Sequence, residues 1–303
     1  MASSAKLQAV TKGGKEKELS FFKKIMRNNV VEIVPSHILW RDALYYWTMR
    51  NLTIDEETKK DLERRGLPAK VAYEYGIRTF DKKKLEEGFI EGLKTLVRNK
   101  GLYFSELDKK EKVSIPGFYK ENGEILCADC AKDGGAYMIP IINRIGLISG
   151  YQIRHLTGNT RYTYFSSANM GENGCGFSGC ENIHYAGFKV LKDVKTPKAV
   201  NLTEGCLKAD VAHYLSGKPY IAIMGVTNVY QLETELKMLK DRGTKIINLC
   251  LDMDYRTKKG VKIALEKVER IIERCDLVYH QINWDENYKG IDDYLLSLKE
   301  KKQ

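Results

Sequence analysis

The chain has 303 residues, 43% of them hydrophobic and 30% charged, a balance that suits a soluble globular protein and gives enough length for two domains of ordinary size. No apolar run approaches the roughly 18 residues that a membrane span needs, and the opening stretch MASSAKLQAVTKGGKEKE carries no apolar segment of the secretory-signal kind. The net charge of +10 is unevenly spread: residues 1–120 hold 25 Lys/Arg against 17 Asp/Glu, residues 121–198 hold 8 against 7, and residues 199–303 hold 17 against 16. A basic excess at the front suits a phosphate-backbone surface, or else solvated helix faces such as DKKKLEE. Seven cysteines, an odd number without a regular framework, point to a reducing compartment, most simply a cytoplasm.

The opening stretch reads as a disordered lead-in. Residues 19–50 mix apolar and basic positions with Trp40, Tyr45, Tyr46 and Trp47, which suggests helix with a turn near Pro35. NLTIDEETKKDLERRGLPAKVAYEYGIRTF predicts two helices around Gly66–Pro68, with Thr53 as N-cap and acids in the following first turn. Apolar positions at 85, 89, 93, 96 and 97 predict a helix over 82–98. From about residue 113 the pattern turns to strands: AYMIPIINRIGLISGYQIRHL holds two apolar runs split by NRIG, a hairpin, and RYTYFSS continues in β-rich composition. DVKTPK, residues 193–198, is short and polar and is the best boundary in the chain. After it strands and helices alternate: KAVNLTEG, PYIAIMGV, KIINLCLDMD and CDLVYHQI are strands, with helices through CLKADVAHYLSG, 229–241 and 258–274. That rhythm implies a parallel sheet with helices on its faces, in which ligands gather at the carboxyl ends of the strands.

Acids stand at those ends. If strand geometry persists to residue 254, Asp252 and Asp254 point to one face, and Glu204 ends another strand of the same sheet. Three uncompensated carboxylates would repel one another. A hard divalent cation removes that cost, and oxygen-only ligands favour Mg²⁺ or Mn²⁺ over zinc. The competing reading of a lone D-x-D is a loop cap or solvated turn, but three acids on a βα scaffold favour a metal site.

NLTEGCLKADVAHYLSG, LDMDYRTKKG and KGIDDYLL resemble the successive motifs of a Toprim domain, the catalytic fold shared by bacterial-type (DnaG-like) primases, topoisomerases and related nucleases. The family's glutamate matches Glu204, with Gly205 allowing the tight turn after the strand, and its D-x-D matches Asp252 and Asp254. MGVTN at 224–228 resembles the loop after the second strand. Upstream, GLISGYQIRH followed by RYTYFSS is similar to the basic subdomain of a primase core, with Arg154, Arg161 and Tyr162 on the matching positions. More narrowly, RGL…YGIR, GYQIR, SS…G…SG…H, TEG…KAD and KGIDDYL resemble a Toprim-containing family of plasmid and phage replication proteins long catalogued without an assigned function. The resemblance covers roughly residues 50–300.

It implies an α/β fold in which a Toprim domain, 196–303, follows a basic α+β primase-core-like subdomain, 51–195, and an N-terminal basic and aromatic helical segment, 1–50. It implies a nucleotidyltransferase of a mobile element that makes short primers on single-stranded DNA from nucleoside triphosphates. Asp252 and Asp254 would bind Mg²⁺ or Mn²⁺, and Glu204 would bind metal or handle a proton. Asp292 and Asp293 would hold a second ion or cap the following helix. Lys208, one helical turn after Glu204, would reach a phosphate or be an exposed helix lysine. Arg154 and Arg161, with Tyr162, would hold template or incoming phosphates, and Arg256 and Lys258, beside the acids, would contact phosphate or offset them. Other Toprim chemistry remains open, since fold does not fix reaction: a stand-alone metal-dependent nuclease, or a non-catalytic DNA-binding accessory of replication. No G-x-x-x-x-G-K-[ST] occurs, so a helicase would act in trans. The zinc ribbon of replicative primases has no counterpart before Cys127. The pairs Cys127–Cys130 and Cys175–Cys180 would build a Cys₄ zinc site, or are ordinary reduced cysteines, the reading their uneven spacing favours.

Overall fold

The computed structural model describes residues 36–100, 115–131, 135–177, 182–188, 196–225, 229, 231–253 and 259–301. The expected lead-in, the segment 19–35, the loop at 226–228 and the basic run after Met253 lie outside the described residues. In chain order the elements begin with α1 (Ser36–Met49), α2 (Glu56–Arg64), α3 (Ala69–Glu74), β1 (Arg78–Thr79) and α4 (Lys82–Lys100). Strands β2 (Phe118–Glu121), β3 (Glu124–Cys127), β4 (Ala136–Ile142), β5 (Ile148–His155), β6 (Tyr162–Tyr164) and β7 (Ile183–Ala186) follow. The last part alternates: β8 (Ala199–Glu204), α5 (Cys206–Ser216), β9 (Tyr220–Ile223), α6 (Leu232–Asp241), β10 (Ile246–Leu249), α7 (Lys259–Arg274), β11 (Val278–Gln281) and α8 (Ile291–Glu300).

Two compact units share the chain. One is formed by Met1–Thr53, Arg78–Met138 and Ile153–Gly179, the other by Ile54–Ile77, Ile139–Gln152 and Cys180–Gln303. Strands β4 and β5, neighbours in a four-stranded sheet of order β1-β4-β5-β6, carry the chain from one unit to the other and back.

The first unit is built on aromatic rings. Phe118 lies 4.2 Å from Phe89 and 5.4 Å from Phe165, edge-on to the latter, and the Tyr45 hydroxyl donates to Pro116 O at 2.9 Å. Rings of this size bury large apolar area, and a phenol inside needs such a partner. Helix α4 meets α1 through glycines one turn apart: a Cβ at Gly88 would sit 2.7 Å from Thr48 O, and one at Gly92 2.6 Å from Trp47 Cβ. Only a residue without a side chain permits that approach.

The second unit holds a five-stranded sheet of order β11-β10-β8-β9-β7. Strands β8 to β11 are mutually parallel and β7 closes the edge antiparallel to β9. Its strands are short apolar runs because helices cover the sheet: Val200, Leu202, Ile221, Ile223, Ile247 and Leu249 are all buried in one core. Helix α7 adds Leu265, Val268, Ile271 and Ile272, the 3.6-residue stripe of an amphipathic helix.

The four parallel strands stand where the apolar runs predict them, and the chain is the mixed α/β structure expected. Two local expectations change. Asp55, not Thr53, caps α2, its carboxylate accepting from Thr58 N at 2.8 Å, while Thr53 O accepts from Thr79 N. The third parallel strand stops at Leu249: Cys250 N still donates to Leu202 O, but Met253 N donates to Lys289 O, off the ladder. Strand alternation therefore ends before residue 252.

Candidate functional site

Glu204 is the last residue of β8, half-buried, at the carboxyl end of the parallel sheet. The chain must turn at once into α5, and Gly205 does so at φ +84°, its N–H donating to Ile223 O at 2.8 Å. That region of φ is open to glycine without cost. Two strands away in sequence, the end of β10 is fixed to β8 by the Thr203 hydroxyl, which donates to Cys250 O at 3.0 Å. Asp252 follows, 9% exposed.

The first turn of α5 then brings Lys208 back over the strand ends. Its ammonium donates to Asp252 Oδ1, and Lys289 Nζ lies 3.4 Å from Asp252 Oδ2. Asp292, in the first turn of α8, is 4% exposed, and its Oδ1 has no hydrogen-bond partner among the described residues. Gly290 makes the arrangement fit: a Cβ there would collide with Asp292 Oδ1 and lie 3.1 Å from Lys208 Cε and 3.4 Å from its Nζ. Lysine and carboxylate thus border one space that a side chain at 290 would fill.

Electrostatics follow from this packing. Burial pushes the Asp292 carboxyl above its ordinary range, against the pull of Lys208 and Arg65, and Asp293 adds to the rise. Burial alone would lower the Lys208 pKa, but Asp252, Asp292 and Glu204 hold it above its ordinary value. The ammonium is therefore charged at neutral pH.

Of the residues singled out in the sequence, Glu204, Lys208, Asp252 and Asp292 meet at this end of the sheet. Lys208 is neither exposed nor turned to solvent, its side chain being only 16% accessible. Asp293 is exposed, and both aspartates stand in the first turn of α8, whose N-cap is Gly290, a residue with no side chain of its own to cap with. Asp254, Arg256, Lys258 and Cys180 lie outside the described residues. Arg154, Arg161 and Tyr162 belong to the other unit. Arg154 is buried with its guanidinium 5.0 Å above the Tyr162 ring, a cation–π contact, whereas Arg161 is exposed and its carbonyl accepts from His155 N.

Among the described residues no disulfide joins the cysteines. Burial raises the pKa of Cys127 and Cys130, and proximity of the two adds to the rise at Cys127. Cys130 Sγ donates to Ser166 O at 3.9 Å and Cys175 N to Ser167 Oγ at 2.9 Å.

Two participants were not singled out from the sequence: Lys289 and Gly290. Both stand in the KGIDDYLL stretch, where a glycine directly before a helix carrying two acids is a signal of close approach. A third group, His184 with Asp210, is a buried dyad of structural type. Ile142 N donates to His184 Nδ1 at 3.1 Å, so Nε2 carries the proton toward Asp210 Oδ1 at 3.0 Å.

Glu204, Asp252 and Asp292 offer oxygen atoms alone, a donor chemistry that fits a hard divalent cation. Among the described residues no three His, Cys, Asp or Glu side chains converge as a ready metal site. What Asp252 does hold is the Lys208 ammonium, on which Asp292 and Glu204 also act electrostatically.

Comparison with known proteins bears on the fold. A family model described as a domain of unknown function (DUF3854) matches residues 189–302. No curated protein matches the chain. Among solved structures, the zinc-binding and RNA polymerase domains of the Aquifex aeolicus primase superpose with a TM-score of 0.59 at 15% identity, over 89% of this chain and 60% of that one. The present chain thus spans about three fifths of that primase fragment. A DnaG catalytic core gives 0.53 at 14% identity, over 88% of this chain and 76% of that one. A DnaG catalytic domain bound to single-stranded DNA gives 0.51 at 14% identity, covering 88% and 79%. Among the described residues no helix is long and apolar enough to cross a membrane. At these identities the likeness is one of fold, and the chain folds as a mixed α/β structure of the DnaG primase-core type.

Proposed function

We propose that the protein is a primase-like nucleotidyltransferase whose second unit is a Toprim domain, joining nucleotides on single-stranded DNA in the replication of a plasmid, phage or other mobile element. The observation that carries this reading is Lys208, paired with Asp252 and within electrostatic reach of Asp292 and Glu204, beyond the carboxyl end of the parallel sheet, on a fold of the primase-core type. Ligands of open α/β sheets collect at that edge.

Asp252 and Asp254, with Glu204, would hold Mg²⁺ or Mn²⁺, and Asp292 stands ready with an unpartnered oxygen. Such an ion, when bound, neutralises triphosphate oxygens and eases ionisation of the attacking 3′-hydroxyl. The residues of the chain do the rest. Asp252 is held in place by Lys208 and Lys289, and Lys289, 62% exposed, offers its ammonium toward an approaching phosphate. Glu204, only half-buried, is the carboxylate with access to a substrate proton. Template contact falls to the basic front part of the chain, where the charge excess lies, and to exposed Arg161 and Tyr162.

The test is direct. The protein is incubated with single-stranded DNA, labelled nucleoside triphosphates and Mg²⁺ or Mn²⁺, alongside Asp252→Asn. Short labelled products that vanish in the variant are expected, at a loss of roughly a hundredfold or more, as for removal of a principal charge-stabilising group. Degradation of the template in place of synthesis would make the protein a nuclease, and binding with neither outcome would make it a non-catalytic accessory.

A further inference from the structure

Lys208 is placed where the carboxylates of the site would otherwise face one another. Its ammonium ion-pairs with Asp252 Oδ1, and it shares with Asp292 Oδ1 the space left by Gly290. Lys289 approaches the other oxygen of Asp252, so both oxygens of that carboxylate face a lysine. The Asp292 oxygen has no hydrogen-bond partner among the described residues, although it is buried. A buried carboxylate oxygen without a partner is costly, and native structures keep few of them. Here it lies beside the position that a Gly290 side chain would occupy, which the Lys208 ammonium also borders. The backbone is shaped for this: α5 begins immediately after Gly205, which brings Lys208 over the strand ends, and position 290 lacks the side chain that would exclude the lysine.

We propose that Lys208 is a built-in counter-cation of the carboxylate cluster and competes directly with a divalent metal ion for Asp252 and Asp292, so that metal binding expels its ammonium. The inference rests on the reading of the cluster as a metal site. A divalent ion bound to Asp252 and Asp292 would strongly repel an ammonium held at contact distance by the same carboxylates. With the ammonium in place the repulsion among the carboxylates is offset and the chain folds without metal. With a divalent ion in place Lys208 must swing outward, which frees its charge for a phosphate. Linkage makes the effect reciprocal: whatever weakens the lysine's hold strengthens that of the metal.

The experiment uses the full chain and Mn²⁺ as the probe, with binding followed by electron paramagnetic resonance of free Mn²⁺ and by the thermal midpoint. Wild type, Lys208→Met and Asp252→Asn are compared. In chelator, Lys208→Met should melt below wild type. It should recover more on addition of Mn²⁺ and bind the ion roughly tenfold tighter, because a like charge has left the ligands. Unchanged or weaker Mn²⁺ affinity in Lys208→Met, with binding still lost in Asp252→Asn, would overturn the competition and leave the metal site standing. Mn²⁺ binding that Asp252→Asn does not affect, or none in any of the three proteins, would overturn the metal reading and the competition with it. A second measurement needs no variant. In the wild-type protein, acetylation of Lys208 read by peptide mass spectrometry should be slow in chelator and faster with Mg²⁺, relative to Lys289. Equal labelling with and without the ion would overturn the proposal even if Lys208→Met failed to fold.

Discussion

Lys208 illustrates how a single side chain can answer to residues far along the chain. A buried ion pair pays for desolvation before it gains anything, so it is weak evidence of net stabilisation. Removing one partner is another matter, because the other charge stays buried. In chelator, Lys208→Met is expected to cost about 3 kcal/mol, the low end for a broken buried pair, since Lys289 still faces Asp252. The pH dependence has a definite sign. The pKa of Lys208 is raised in the folded protein above its ordinary 10.5, so the pairing contributes fully below that value and is lost as pH rises through the raised one. The stability difference between wild type and Lys208→Met, measured by urea unfolding, should therefore be level from about pH 7 to about pH 9 and shrink above about pH 10.5. A difference that shrinks near neutrality would remove Lys208 from the pair. The sequence exposes half of this site. Glu204 and Gly205 are legible because an acid and a glycine close an apolar run, and Asp252 because it follows another. Lys208 is legible only as a candidate, since a lysine in a first helical turn has an exposed reading as good as any other. Its partner lies beyond three more elements, and the space it uses depends on Gly290.

Helices α1 and α4 show the same dependence at the level of elements. The apolar positions of α4 predict an amphipathic helix, yet they do not reveal that Gly88 and Gly92, spaced one turn apart, form the seam against α1. Glycines inside a helix cost helical propensity relative to alanine, so at an exposed site Gly92→Ala would stabilise. Here the added methyl would sit 2.6 Å from Trp47 Cβ, and the helices would have to part. Overpacking of this kind costs about 1–3 kcal/mol. Gly92→Ala is accordingly expected to lower the urea midpoint and to shift the tryptophan emission, whereas a rise in stability would mean that the two helices do not meet at that residue. Among the strands, β8 to β11 are readable because their apolar-rich stretches alternate with helices, the rhythm of a sheet covered by helices. IHYA, which becomes β7, is too short and too mixed to announce itself, and its pairing with β9 supplies the reason it is a strand. The early end of β10 is likewise decided elsewhere, by the carbonyl of Lys289 that captures Met253 N.

Over the whole molecule, the two units are interleaved along the chain, a property that local periodicity cannot carry. The alternating strands and helices after residue 196 look self-sufficient in sequence, but the second unit also contains Ile54–Ile77 and Ile139–Gln152. These upstream segments reach into the sheet unit at specific points. Gly66, at φ +82°, brings the α2–α3 turn so near α8 that a Cβ there would lie 2.7 Å from Leu296 Cδ1 and 3.6 Å from Leu215 Cδ2. Ile142 N fixes the tautomer of His184 and so its bond to Asp210 on α5. Arg144 pairs with Glu235 on α6 at 2.8 Å, and Glu235 also accepts from the Tyr185 hydroxyl. Cutting the chain at 196 removes all of these along with β7, and it leaves Asp210 and Glu235 buried without the groups that satisfy them. Unpaired buried carboxylates are among the few lesions that cost several kcal/mol each, against a total stability of about 5–15 kcal/mol for a domain. A fragment of residues 196–303 is therefore expected to keep helical far-ultraviolet circular dichroism while losing the near-ultraviolet signal of Trp284 and a cooperative thermal transition, as a compact state without fixed packing does. The full chain should retain both. If the fragment instead melts cooperatively near the midpoint of the full chain, the upstream segments are accessories to a domain that stands alone, and the carboxylate cluster could be studied within it.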